Sequence, residues 1–301
     1  MDINNANLQR LFVAMNAAFR AGLGQATSQY LQIATVVPST TGSEEYDWLG
    51  QLPGLREWIG DSVVHAIGTH GYTIKNKSFE LTVGIPKPKV EDDQYGIYAP
   101  LMTEMGRAAD THPDQLVFGL LKDGRTQLCY DGQPFFSASH KVLNERGKEV
   151  NVSNVSDDGG SGASWYLLDT KRALKPLIFQ NRKSPVFVAK TNLTDENVFS
   201  ADQFVYGVDA RRNTGFGFWQ LAHASNKTLN AENLKAAITA MESQTGDYGR
   251  PLGISPNLLV VSKANRFQAN RLLKSDLVNE GGVQVSNDLA GTLEPLVADW
   301  L

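Results

Sequence analysis

The residues with the most reactive chemistry are Cys129, the sole cysteine, and His140, eleven positions downstream. A thiol beside an imidazole can act as a nucleophile in acyl transfer. No local signature of a cysteine hydrolase surrounds either residue, so an ordinary buried thiol is the preferred reading. The five histidines, His65, His70, His112, His140 and His223, show no pairs at metal-ligand spacing, and there is no Cys-x-x-Cys beside them. Asp92-Asp93 and Asp157-Asp158 are adjacent in sequence, which points their carboxylates in different directions. The glycines at 159, 160 and 162 lack a following Lys-Ser/Thr, and Gly215-Phe-Gly217 lacks the third glycine of a dinucleotide turn. Thus no catalytic residue, cofactor or metal is expected, and the chain is not expected to be an enzyme.

If chemistry does not explain the chain, binding must. The 301 residues are 42% apolar and 20% charged, the balance of a folded soluble protein. Folding should bury roughly three quarters of the unfolded surface, so a core needs no disulfide or metal. A single cysteine fits a reducing cytosol. No export signal is expected at the N-terminus, and no apolar run approaches the ~20 residues of a membrane span. A formal net charge of −4 leaves no basic face for tight nucleic-acid binding.

The elements that would do the binding can be read from periodicity. Leu8, Leu11, Phe12, Met15 and Phe19 recur at three- and four-residue steps, predicting a helix whose apolar face covers its own core or docks on a neighbour as an arm. Aromatics between residues 46 and 59 need a partner of the same kind. From His70 to Asp93, Tyr72 and Ile74, then Phe79, Leu81, Val83 and Ile85, alternate with polar residues. This predicts two strands about a turn at Asn76-Lys77. Pro86 and Pro88 bar the second strand from a sheet centre, leaving a sheet edge or an extended loop laid over another molecule. Leu101, Met102, Met105 and Ala108 open a long helix that Pro113 should kink or break near His112. A loop-rich middle and several strands follow. A composition shift at Ser225-Asn-Lys227 suggests a boundary, and beyond it a helix capped by Asn230 and the strand Leu258–Val261 make an α/β unit. Leu296 and Val297 suggest a final strand.

Several runs, taken together, resemble the major head subunit of Mu-like tailed bacteriophages. They are Arg56-Glu-Trp-Ile-Gly-Asp61, Tyr72-Thr-Ile-Lys-Asn-Lys77 with Phe79-Glu80, Glu91-Asp-Asp93, His112-Pro-Asp114 with Leu116-Val-Phe118, and Cys129-Tyr-Asp-Gly-Gln133 with Phe135-Phe136. Tyr206-Gly-Val-Asp-Ala-Arg211, Gly215-Phe-Gly-Phe-Trp-Gln-Leu-Ala222 and Gly249-Arg-Pro-Leu-Gly253 complete the set. The resemblance implies an α+β chain with the Hong Kong 97 bacteriophage capsid fold. Its parts would be an N-terminal arm (1–50), the start of a peripheral domain (51–68), an extended β-hairpin loop (69–94), and the rest of the peripheral domain (95–225) with a spine helix at 95–122. An axial domain (226–290) and a C-terminal strand (291–301) would follow. The strands from Trp165 to Ala222 precede the axial-type helix, an order that differs from the prototype.

Such a subunit would form hexamers and pentamers of an icosahedral head. Tyr72, Ile74, Lys75, Lys77, Phe79, Leu81 and Val83 in the loop, and Leu8, Leu11, Phe12, Met15 and Phe19 in the arm, would be its inter-subunit contacts. Partners would be copies of itself, a scaffolding protein, a portal, a decoration protein, and packaged double-stranded DNA held weakly, with no membrane. It would assemble in the host bacterial cytoplasm and reside in the virion. The rivals are a bacterial nanocompartment shell and a hydrolase using Cys129.

Overall fold

A computed structural model of the chain describes residues 2–46, 49, 71–92, 94–159, 162–280 and 282–301. Apart from Tyr46, the aromatics read between residues 46 and 59 lie outside these residues.

Helix α1 (Asn5–Leu23) begins at Asn4, whose side chain accepts from the Asn7 amide. After it come β1 (Ala34–Pro38), β2 (Ser43–Glu45), β3 (Thr73–Lys75), β4 (Lys77–Pro86) and the short α2 (Lys87–Glu91). The long α3 (Ala99–Asp123) has Pro100 in its first turn, where the missing N–H costs nothing, and it runs unbroken through Pro113. Strands β5 (His140–Leu143) and β6 (Glu149–Val152) form a ribbon of their own, followed by β7 (Val155–Ser156) and β8 (Trp165–Leu168). A fourteen-residue pair comes next: β9 (Leu177–Lys190) and β10 (Gln203–Phe216), joined around α4 (Glu196–Ala201). The chain ends with β11 (Ala222–Ser225), α5 (Ala231–Glu242), β12 (Leu258–Val261), α6 (Arg266–Lys274), the ribbon β13 (Leu277–Glu280) and β14 (Val283–Ser286), and β15 (Glu294–Val297).

Two sheets organise the molecule. The first has the order β1-β9-β10-β4. Here β9 and β10 pair antiparallel along their length, β4 pairs antiparallel with β10 from Pro86 opposite Gln203 to Lys77 opposite Arg212, and β1 lies parallel to β9. One face of β10, with Phe204, Tyr206 and Val208, buries itself beneath α1 and the first half of α3, together with Ile85, Val90 and Phe187. The second sheet has the order β15-β12-β8-β11-β7. Its strands β8, β11 and β12 are buried at every position, which is why β8 and β12 read as continuous apolar runs without alternation. Its core continues through Val117, Phe118 and Leu121 of α3, so the long helix spans both cores.

Three sequence expectations change. The two strands between 69 and 94 do not form a hairpin with each other: β3 pairs with β2, and β4 joins the first sheet as an edge strand. The physical reason is that β4 gains a ten-residue antiparallel ladder with β10, far more than a short hairpin could offer. The boundary expected between 225 and 226 falls inside the second sheet, because β11 before it and β12 after it both pair with β8. The composition shift marks only the turn into the α5 cap. Finally, α3 is not broken at His112. The expected final strand is β15, parallel to β12.

Candidate functional site

The arm contacts come first. Leu8, Leu11, Met15 and Phe19 are buried within the chain's own peripheral core, and Phe12, partly buried, stacks on Phe187 at 5.7 Å between ring centroids. Leu8, Leu11, Met15 and Phe19 thus serve the chain's own core, and Phe12 lies at its margin. The helix sits this close because Gly22 and Gly106 face each other across α1 and α3. A Cβ on Gly22 would lie 2.0 Å from the Thr103 carbonyl oxygen, and one on Gly106 would lie 2.1 Å from that of Phe19.

The loop residues divide. The Tyr72 hydroxyl accepts from the Phe216 amide at 2.8 Å, and burial pushes its pKa up to about 12. Ile74 is buried and packs where Gly215 leaves room, 2.2 Å from the place a Cβ would take. Phe79 sets its ring edge-on to His112 at 4.3 Å, and Val83 packs against the peripheral core. Lys75, Lys77 and Leu81 are exposed, the last two on a strand with no further strand beside it among the described residues. Ile74 is thus a core residue of its own chain and Tyr72 packs at the core's margin, while Lys75, Lys77 and Leu81 are exposed.

A polar network that sequence reasoning missed fastens the β2-β3 ribbon to the sheet. Buried Gln180 on β9 accepts from the Tyr46 hydroxyl at 2.9 Å and donates to the Ile74 carbonyl and to Asn76 Oδ1. Asn76 in turn donates to Ser39 Oγ and the Thr41 carbonyl. Glu44 accepts from the Ser39 hydroxyl and from the amides of Thr40 and Thr41, which hold its carboxyl down at about 2.

A second missed feature lies at Pro113. Proline lacks the N–H that would bond the carbonyl four residues back. That carbonyl, of Ala109, instead accepts from the buried guanidinium of Arg212 at 3.2 Å. Beside it, Asp114 accepts from the amides of Gln29 and Tyr30, fixing the turn that leads into β1. Burial raises the Asp114 carboxyl against the pull of those two amides.

The structure does bring Cys129 and His140 together, but through Asp131. The thiol donates to Asp131 Oδ1 at 3.1 Å, and His140 Nδ1 meets Asp131 Oδ2 at 2.6 Å. Burial, and then the Asp131 charge, push the Cys129 thiol well above its ordinary range. Although burial opposes it, the bonds from His140, the Gln133 amide and the thiol hold Asp131 below the usual carboxylate range. A neutral, buried thiol whose partner is a carboxylate, with the imidazole engaged on that same carboxylate, is not the thiolate–imidazolium pair of a hydrolase. The surface also carries apolar groups that sequence periodicity did not single out, chiefly Phe199 on α4 at 87% exposed and Phe267 on α6 at 80%.

Comparison with known proteins fits this picture of a site-poor chain with exposed apolar tips. The family model described as Mu-like prophage major head subunit gpT matches residues 8–301. The major capsid protein of Escherichia phage Mu is 45% identical, with the match covering all of both chains. The Mu-like prophage FluMu major head subunit of Haemophilus influenzae is 47% identical, over 98% of this chain and 97% of its own. Among solved structures, the bacteriophage JBD30 procapsid gives a TM-score of 0.85 at 47% identity, covering 99% of this chain and all of the other. The JBD30 capsid gives 0.79 at 34%, over 100% and 99%. With its two sheets, spanning helix and docked N-terminal helix, the chain has the phage capsid fold expected from its sequence, and it belongs to the family of Mu-like major head subunits.

Proposed function

We propose that this major head subunit builds an icosahedral shell of hexamers and pentamers by contacts between its own copies, enclosing double-stranded DNA in the virion. The full-length correspondence with the subunits of the JBD30 procapsid and capsid carries this reading. A closed shell needs many heterologous contacts, each of modest strength, whose sum resists internal pressure. The mild net charge of −4 suits an inner wall that must not hold DNA tightly.

The exposed edge of β4, with Lys77 at its start and Leu81 within it, supplies one such contact, exposed Lys75 at the end of β3 a second, and Phe199 and Phe267 supply others. An edge strand and single bare aromatics are the features that association covers. A scaffolding protein and a portal are proposed as partners during assembly in the host cytoplasm. A decoration protein is proposed as a further one, supported by the JBD30 capsid decorated with minor capsid protein trimers, whose subunit is 35% identical over 94% of both chains with a TM-score of 0.77.

Negative-stain microscopy of the purified chain expressed with its neighbouring head genes tests the proposal. Closed shells whose DNA survives nuclease are expected. A uniform small oligomer with no particles, or shells filled with protein and free of DNA, would sink it.

A further inference from the structure

We propose that Cys129, Asp131 and His140 form a binding site for one divalent d-block cation of the zinc class. The three donor atoms, a sulfur, a carboxylate oxygen and an imidazole nitrogen, lie within 4.8 Å of one another. Their spacing along the chain matches no metal motif, since one and eight residues intervene. The turn closed by the Leu128–Pro134 bridge holds Cys129 and Asp131, and the first residue of β5, His140, meets them from outside it.

The surroundings are those of a held ligand set. His140 is fully buried and stacks on Trp219 with ring centroids at 4.0 Å and planes 4° apart, which fixes the ring's direction. Its second nitrogen, Nε2, faces the Phe135 carbonyl at 3.3 Å, the outer-shell partner that ligating histidines commonly have. The Phe135 carbonyl is itself anchored by Asn154 Nδ2 at 2.8 Å. Asp131 Oδ1 also accepts from the Gln133 amide, so the carboxylate is oriented as well. Gly132 is exposed and the Asp131 side chain is 15% exposed, so the carboxylate is the donor nearest solvent.

Thiolate and carboxylate together carry two negative charges, which a dication neutralises, and the sulfur–nitrogen–oxygen set suits zinc and its neighbours over calcium or magnesium. Around a tetrahedral zinc the nitrogen–oxygen and sulfur–oxygen separations are about 3.3 and 3.6 Å, from bond lengths near 2.0–2.3 Å. The existing contacts, 2.6 Å from Nδ1 to Oδ2 and 3.1 Å from the sulfur to Oδ1, run to different oxygens, so the carboxylate turns to offer one of them and the contact to that oxygen opens by about half an ångström or a little more. Protons balance as follows. The cation takes the place of the thiol proton, which leaves to solvent, and the neutral ring binds through Nδ1 with its one N–H on Nε2, donated to the Phe135 carbonyl. One proton is released per cation bound.

The test is titration of the full chain, freed of metal by chelator, with cobalt(II) alone. One cobalt per chain is expected, with a thiolate-to-cobalt charge-transfer band that excess zinc abolishes. Cys129→Ala should lose the band and bind at least tenfold more weakly, with its far-ultraviolet dichroism unchanged. A second reading does not depend on any variant: calorimetry of the unaltered chain in buffers of different ionisation heat should return about one proton released per cobalt. Less than about a tenth of a cobalt per chain, undiminished binding by Cys129→Ala, or no proton release would each overturn the site.

Discussion

Arg212 and His223 show how single buried groups govern this chain. Arg212 satisfies the carbonyl that Pro113 strands, so Arg212→Ala leaves the Ala109 oxygen without its donor in a buried place. A loss of about 1–3 kcal/mol in denaturant unfolding is expected, while the charge-conserving Arg212→Lys recovers only part, because a single ammonium does not reproduce the planar guanidinium. His223 on β11 is buried, with Nε2 at 2.7 Å from Ser156 Oγ. Burial lowers its pKa to about 4, with Arg125 adding to this and Asp157 opposing it. Because the folded value lies below the unfolded value of about 6.5, the unfolded chain takes up the proton first. Stability is then whole above about pH 6.5 and is lost as pH falls towards 4, by about 2 kcal/mol at pH 5. His112, lowered to about 4 by burial and by Arg212, acts with the same sign. Unfolding midpoints of His223→Gln between pH 7 and pH 5 should therefore fall less steeply than those of the unaltered chain; equal slopes would contradict the assignment.

Among the elements, α1 and β4 have the roles that changed most. The approach of α1 to α3 depends on Gly22 and Gly106, where backbone atoms occupy the space of a side chain. Gly106→Ala should cost about 1–3 kcal/mol through overpacking. Gly24→Ala, with nothing within 4 Å of the new methyl, should leave the thermal midpoint almost unmoved. For β4, the sequence alone suggests that removing residues 74–83 would spare the fold, since a projecting loop is dispensable. The structure reverses that: Ile74 is core, and the strand carries most of a ten-residue ladder with β10. The deletion should abolish cooperative thermal unfolding. Leu81→Lys touches only the exposed edge, so it should leave the subunit's melting curve in place and reduce shell formation.

For the whole molecule, α3 joins the two cores, and bare apolar side chains stand outside both on α4 and α6. Phe199→Asp and Phe267→Asp alter side chains that contribute nothing to either core. Each should keep the unfolding midpoint within about 0.5 kcal/mol of the unaltered chain, as exposed substitutions do. Particle yield by sedimentation and microscopy should drop for both. Full yield from both variants would remove these tips from the assembly contacts.

Local pattern alone determined the apolar stripe of α1, the start of α3, the α5 cap at Asn230 and the apolar runs of β8 and β12, because periodicity and capping act within a few residues. The quoted motif set also determined the family. What only the tertiary structure decided is where those faces go. Whether Leu11 meets its own β10 or a neighbour, whether β4 pairs with β3 or with β10 more than a hundred residues away, and whether β11 and β12 share a sheet across a turn are questions of long-range pairing. Their answers depend on which contact buries more surface and forms the longer ladder, a comparison that no short window contains. The meeting of Cys129, Asp131 and His140 is of the same kind: each is legible as a residue, and only the folded turn and the Trp219 ring behind it make them a set.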